Sequence, residues 1–453
     1  MIDSAGGSID LVEIDEADNK DYAGAFARAN KAETLGGDLA HAPKDFETLL
    51  PKLLSSGGRV ANLGKGLALA AEEPGQMWLA MTTALASSEK PNVTLLCGFL
   101  EGLSKRDSVL IGALLDDAVE NSTLGRQFPL LQLAAGLDGA GLVRLHKSLE
   151  IGEAPIWQFN GLGTDRASDV VTSPAFKQLV LTIAEKPDGM SVAIDILSMR
   201  LHSDGSGKRP VPELAEIGRE LLQRYDFHQK SNRAHHEDYE LGVVAAASLK
   251  GEEGAPIAHR LVHGLLAAIG SHEAAGYDYG DLMKCLFAAQ PVATLDALFE
   301  GGKEAKSDGL MQDLLRFGKS PTEDVPDQII IDWCNFDPAA RYTFAAAITV
   351  LFRRPDDKSS HVWTPLARRL LSEAPDAAAV FNEMVPRLHP TSWSGSLATK
   401  LESRLALLIQ IDADQNAALA ESVGKARQYL EKWIVEERKR ETAEDRSQNA
   451  RFE

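Results

Sequence analysis

The sequence predicts an all-α protein: an irregular HEAT-like α-solenoid of antiparallel helix pairs with no substantial sheet. Three observations carry that prediction. Apolar residues recur at spacings of three and four along most of the chain, which puts them on one helical face. Prolines recur at the starts of those stretches, where a missing N–H costs little. Leu and Ala dominate an apolar fraction of 44%, and aromatics are only 6%. That balance favours packed helices over sheets.

Residues 1–20 are acidic, carry Gly and Ser, and read as a flexible segment, although Ile9, Leu11 and Ile14 have the spacing of a short edge strand. Helices begin near Tyr22. Within 93–103 the stripe is Val93, Leu96, Cys97, Leu100 and Leu103. Within 174–186 it is Phe176, Leu179, Val180 and Ile183. Within 255–270 it is Ile257, Leu261, Leu265 and Ile269, broadened by Val262 and Leu266. Within 397–411 it is Leu397, Leu401, Leu405, Leu408 and Ile411, with Ser396 as N-cap. Pro129, Pro155, Pro174, Pro256, Pro291, Pro338 and Pro365 stand at or near inferred helix starts. The segment DQIIIDWC (327–334) has three consecutive isoleucines, a strand-like run, but Ile330 and Cys334 make an i, i+4 pair and it reads as a buried helix. Roughly eighteen to twenty helices result, in pairs of about 35–45 residues, the range of HEAT-like arrays.

The longest breaks are HSDGSGKRP (202–210), EGGKEAKSDG (300–309) and RRPDDKSS (353–360). The first divides an N-terminal sub-array, 21–205, from a C-terminal one, 210–435. Beyond Trp433 the apolar stripe ends and 436–453 is a charged helical tail, free to project, fray or meet a partner.

At 453 residues the chain exceeds what a single core supports. Its formal charge of −19 disfavours nucleic acid and anionic membranes, whose binding rests on Lys and Arg. Three scattered cysteines, Cys97, Cys285 and Cys334, exclude a disulfide framework and a cysteine zinc site, and fit the cytoplasm. No signal peptide or membrane span is expected.

No complete catalytic motif appears. GSGKRP (205–210) and GGRVANLGKG (57–66) each contain Gly-Lys but lack the leading Gly and the Ser/Thr that would bind Mg²⁺, so both read as turns. His259 and His263 are i, i+4 in HRLVH, but Arg260 replaces the general-base Glu of a zincin. They read as two surface histidines, with His272 near enough in sequence to complete a site. His228, His235, His236, Glu237 and Asp238 read as a solvated loop and helix start. WSGS (393–396) lacks the first Gly of a nucleophile elbow. Of six tryptophans most are expected in the core. Trp157 in PIWQFNG and Trp393 in TSWSGS sit near helix ends, where solenoid rims bind partners, although the core is the first expectation for these two as well.

Several stretches resemble the C-terminal helical-repeat sensor regions of bacterial STAND (NACHT-like) antiviral defence NTPases: VENSTLGRQFPLLQ (119–132), DGMSVAIDILSMRL (188–201), DWCNFDPAARY (332–342), PTSWSGSLATKLESRLALL (390–408) and the charged helix ending in RFE (451–453). The resemblance covers the chain from about residue 21. It implies a module that senses a foreign protein. The Walker A motif and ATPase core of that group are missing, so ATP hydrolysis does not carry over.

The expected function is therefore a non-enzymatic helical-repeat protein that binds a protein ligand, such as a phage protein or a companion ATPase or effector, in a bacterial antiphage system. Trp157, Trp393, His259 and His263 are its candidate partner-binding residues. No residue is assigned to catalysis, a cofactor or a metal. The alternatives are a cryptic metal-dependent enzyme using the surface histidines, and a scaffold that self-associates through its C-terminal helix.

Overall fold

The computed structural model describes residues 22–56, 60–88, 91–164, 173–203, 212–228, 234–301, 307–316, 320–354, 361–390, 393–413 and 415–452. The expected flexible segment 1–20, with its alternative of a short edge strand at Ile9–Ile14, and the loop at 205–210 lie outside them. Two compact units emerge, Met1–Leu221 and Leu222–Glu453. The first carries α1 (Tyr22–Ala40), α2 (Pro43–Leu54), α3 (Val60–Ala70), α4 (Pro74–Ala86), α5 (Thr94–Ser104), α6 (Ser108–Glu120), α7 (Phe128–Ala135), α8 (Gly139–Ile151), α9 (Ser173–Ala184), α10 (Gly189–Ser203) and most of α11 (Pro212–Arg224). The second carries α12 (Ala234–Ser248), α13 (Ala255–Gly270), α14 (Gly280–Ala289), α15 (Pro291–Gly301), α16 (Ser307–Arg316), α17 (Asp327–Cys334), α18 (Pro338–Ile348), α19 (Pro365–Glu373), α20 (Ala377–Met384), α21 (Leu397–Leu408) and α22 (Ala417–Phe452).

The all-α prediction holds. The isoleucine-rich 327–334 is helix α17, because Ile330, Ile331, Trp333 and Cys334 are all needed in the core. The expected stripe of 397–411 is cut short: α21 ends at Leu408, and Ile409 lies 74% exposed. One small ribbon was not expected. Phe352 pairs with Trp363 and Arg353 with Val362, antiparallel. Trp363 holds it down by donating its indole N–H to the Leu407 carbonyl at 2.9 Å, at the C-terminus of α21.

Within each unit, helices pack on their next-but-one neighbours: α1 on α3, α3 on α5 and α5 on α7, and again α12 on α14, α13 on α15 and α18 on α20. An arginine or glutamine repeatedly fastens this step. Arg106 donates to the carbonyls of Ala68 (3.0 Å) and Ala71 (2.6 Å) at the end of α3. Arg260 does the same for Leu222 and Tyr225 at the end of α11. Arg387 does it for Ala346, Ala347 and Thr349 at the end of α18. Gln290 donates to Leu249 and Gly251 beyond α12. A helix C-terminus has four carbonyls without intrahelical partners and a partial negative charge, so a guanidinium placed there satisfies both. The separations, 38 and 35 residues for both Arg106 and Arg260, recur at the length of a helix pair.

The segment 57–66 is corrected. Gly64, Lys65 and Gly66 lie in mid-helix α3, not in a turn. Gly66 abuts the backbone of α1 at Glu33, and Gly64 abuts α5 at Leu95. From the other side Gly98 of α5 meets α3 at Ala61. Helices normally sit 8–10 Å apart, held off by side chains. Here glycine removes the side chain and backbones touch. Lys65 bridges Glu33 (3.5 Å) and Glu101 (3.2 Å) on the flanking helices. Its hydrogen bond to Glu101 outweighs burial and raises its pKa.

The charged tail is also more engaged than its composition suggests. Leu419, Ala426, Leu430 and Ile434 bury α22 up to the point where the tail begins. Beyond them Glu441 accepts from the Ser396 hydroxyl (2.9 Å) and the Ala398 N–H (3.2 Å), at the N-terminus of α21. Ser396 Oγ in turn accepts from the Thr399 N–H at 3.0 Å, the predicted cap. Ser396→Ala should cost about 1 kcal/mol in urea unfolding, the usual value of an N-cap. Burial pushes the Glu441 carboxyl up, but the N–H groups of Ala398 and Leu397, the Ser396 hydroxyl and Arg440 outweigh it and hold the carboxyl below its ordinary range. A depressed carboxyl stabilises the fold above its unfolded pKa of about 4.3 and loses that contribution as pH falls through the folded value. The stability difference between the wild type and Glu441→Gln should therefore shrink below about pH 4.

Candidate functional site

Four of the tryptophans meet the expectation of burial to different degrees: Trp78, Trp333 and Trp363 are core, and Trp433 is half-buried, stacked on His389 with ring centroids 3.6 Å apart. Trp333 donates to Asp296 at 2.8 Å while Arg341 lies over its ring at 4.4 Å, so it joins α15, α17 and α18. Trp157 and Trp393 are the two exposed ones, at 55% and 46%.

Trp157 stands in the 3₁₀ turn Ile156–Gly163, set by Pro155 at its start. It lines an open groove of about 630 Å³ with Arg126, Gln127, Leu130, Glu153, Pro155 and Gln158. Phe159 and Leu162 of the same turn are 1% exposed and anchor it in the core, so the indole is held outward rather than left loose. Gln158 is 5% exposed, and its side-chain N–H donates to the Arg126 carbonyl at 3.0 Å. Its Oε1 is shielded and accepts no hydrogen bond. A buried acceptor without a donor is costly, about 1–3 kcal/mol, and marks a position where a donor from outside gains affinity. Trp393 immediately precedes the bend at Ser394 and Gly395 (φ 76° at the glycine) that leads into α21.

His259 and His263 lie on α13, one turn apart, with ring centroids 4.6 Å apart. The third donor is Glu300, which the sequence reading placed in a break. It belongs to the last turn of α15, which runs to Gly301. Its carboxylate oxygen is 2.9 Å from His259 Nε2 and 3.5 Å from His263 Nε2. His272 does not join them; it is exposed in the turn after α13, at φ 64°. Arg260, between the two histidines in sequence, points away to cap α11.

The second histidine-rich patch is a helix start, as expected, since α12 begins at Ala234, but its solvation is corrected. Glu237 and Asp238 are 5% and 3% exposed, not solvated. Asp238 accepts from the N–H groups of Asp281 (2.9 Å) and Leu282 (2.8 Å) and caps the start of α14. His228 pairs with Glu273. The side chains of His235 and His236 lie outside the described residues.

The thiols are chemically quiet. Burial pushes Cys97 and Cys334 up to about 12 and Cys285 up to about 11. The thiolate is the nucleophile, so at neutral pH these groups are inert. A thiol reagent at pH 7.5 should label none of the three within minutes in the native protein and all three after denaturation.

Fold and site together define an all-α protein with an exposed aromatic groove, a histidine–carboxylate cluster and no helix among the described residues long and apolar enough to cross a membrane. No protein-family model, curated protein or solved structure matches the chain.

Proposed function

We propose that this chain is a non-enzymatic helical-repeat scaffold that binds an extended segment of a partner protein in the Trp157 groove. The observation that carries the reading is the pairing of an outward-held indole with the unsatisfied, shielded oxygen of Gln158. An apolar side chain of the partner covers the indole face, and the Gln158 amide rotates toward the groove to accept a backbone N–H of the partner. Tryptophan is enriched among the residues that anchor protein interfaces, where the partner completes its desolvation. The recurrent arginine caps support the repeat reading, since a solenoid of pairs needs the same fastening at each step. A role as the sensing part of a bacterial antiphage system rests on the resemblance of 119–132, 188–201, 332–342 and 390–408 to defence sensor regions.

The test is affinity capture from bacteria before and after phage infection, with the wild type, Trp157→Ala and Trp393→Ala as baits. A partner held by the wild type and Trp393→Ala, and lost with Trp157→Ala, is the expected result. Identical capture by all three baits overturns the groove. A partner that appears only after infection supports the sensing role, and one present equally before infection speaks against it.

A further inference from the structure

We infer that His259, His263 and Glu300 form a binding site for one divalent transition-metal ion, which clasps α13 to α15. Their donor atoms all lie within 4.8 Å of one another. A metal with bonds of about 2.0–2.2 Å to each needs donors roughly 3–3.5 Å apart. The His259–Glu300 edge is already at 2.9 Å and the His263–Glu300 edge at 3.5 Å; the His259–His263 edge lies within 4.8 Å and closes by rotation of the two imidazoles.

Hydrogen bonding alone leaves this cluster incomplete. Glu300 Oε2 bonds His259 Nε2, but His263 Nε2, shielded from solvent, makes no hydrogen bond. The 3.5 Å separation to Glu300 is long for one. A cation between the three donors resolves that, because each nitrogen then presents a lone pair to it and the carboxylate neutralises charge. Two imidazoles and one carboxylate select zinc, nickel, cobalt or copper over magnesium and calcium, which prefer all-oxygen sets. The i, i+4 spacing puts both rings on one face of α13, and α15 is the helix packed against that face. The outward side, where Glu300 is exposed, leaves a coordination position for water.

The full chain, stripped with chelator and dialysed, is titrated with Zn²⁺ by calorimetry, with Co²⁺ absorption as a report on geometry. Saturable uptake of a single equivalent is expected, with no uptake of Mg²⁺. His259→Ala, His263→Ala and Glu300→Gln should each weaken Zn²⁺ binding at least tenfold. His228→Ala, at the separate His228–Glu273 pair, should leave it unchanged. Unfolding curves of the metal-free variants check that each is folded; Glu300→Gln, at a half-exposed side chain of similar shape, keeps the test open if an alanine variant is not. Absence of saturable uptake by the wild type overturns the site. Undiminished uptake in the His259→Ala/His263→Ala double variant does so too, and undiminished affinity in Glu300→Gln removes the carboxylate from it.

Discussion

Gly98→Ala should destabilise the first unit by about 2–3 kcal/mol and lower its melting temperature by roughly 5–10 °C. The added Cβ would stand 2.7 Å from Ala61 Cα and nearer still to the Ala61 carbonyl oxygen, across the contact between α5 and α3. Neither neighbour is a flexible side-chain tip, so relief requires moving one helix off the other. The intrinsic gain of Ala over Gly in a helix, about 1 kcal/mol, offsets only part of this. Gly66→Ala should behave alike, since its Cβ would meet Glu33 of α1. Gly424→Ala is the control: nothing lies within 4 Å of that Cβ in α22, so the same change should stabilise by about 1 kcal/mol. Thermal and urea unfolding of the three variants gives the signs. A neutral Gly98→Ala would mean that α3 and α5 do not touch by their backbones.

Arg387→Met should cost about 2 kcal/mol in the second unit. The substitution keeps much of the apolar stem and removes one donor group from three carbonyls. Those carbonyls belong to Ala346, Ala347 and Thr349, residues 0–3% exposed, so water does not replace the guanidinium. An unsatisfied buried carbonyl costs about 1–3 kcal/mol. The total stays below three such terms because burial is itself unfavourable to the guanidinium; it pushes the Arg387 pKa down to about 10. Removing the charge relieves that penalty. Arg387→Lys should fall between, since one ammonium does not reproduce the guanidinium's fan of donors. Urea midpoints of the two variants test the order, and a Lys variant as stable as the wild type would assign the effect to charge alone.

The helices were legible because their determinants are local. The stripe Ile257, Leu261, Leu265, Ile269 gave α13 its observed bounds, and Ser396 caps α21 as its position suggested. Trp157 was legible only as a residue near a helix end; burial was the leading expectation for it, and its 55% exposure follows from the 3₁₀ turn that Phe159 and Leu162 anchor. What failed was any feature made by two segments far apart in sequence. Gly64 and Gly66 looked like a turn because glycine is a helix breaker in isolation. Only the presence of α1 and α5 against them makes a bare backbone favourable. Glycines four apart at Gly98 and Gly102 were the available signal, since that spacing puts both on one face. Glu300 was missed because EGGKE looks like a break, and because its partner His259 is 41 residues away. Glu237 and Asp238 looked solvated because two adjacent acids and two histidines rarely enter a core. Asp238 is buried because its carboxylate replaces the missing acceptors at the start of α14.

By itself the sequence determined that the chain is helical, where most helices begin, and that most of the tryptophans enter the core; that Trp157 and Trp393 stay outside it, and that Cys97 and Cys285 are only half-buried, was not determined by it. What it did determine follows from periodicity, capping and the cost of hydrating apolar area, all of which act within one helix length. The tertiary structure alone decided which helices touch by their backbones, which arginine closes which helix end, and which carboxylate meets His259 and His263. Each of these joins groups 30 residues or more apart, where a partner is fixed by how whole helices pack and not by any pattern in the residues between.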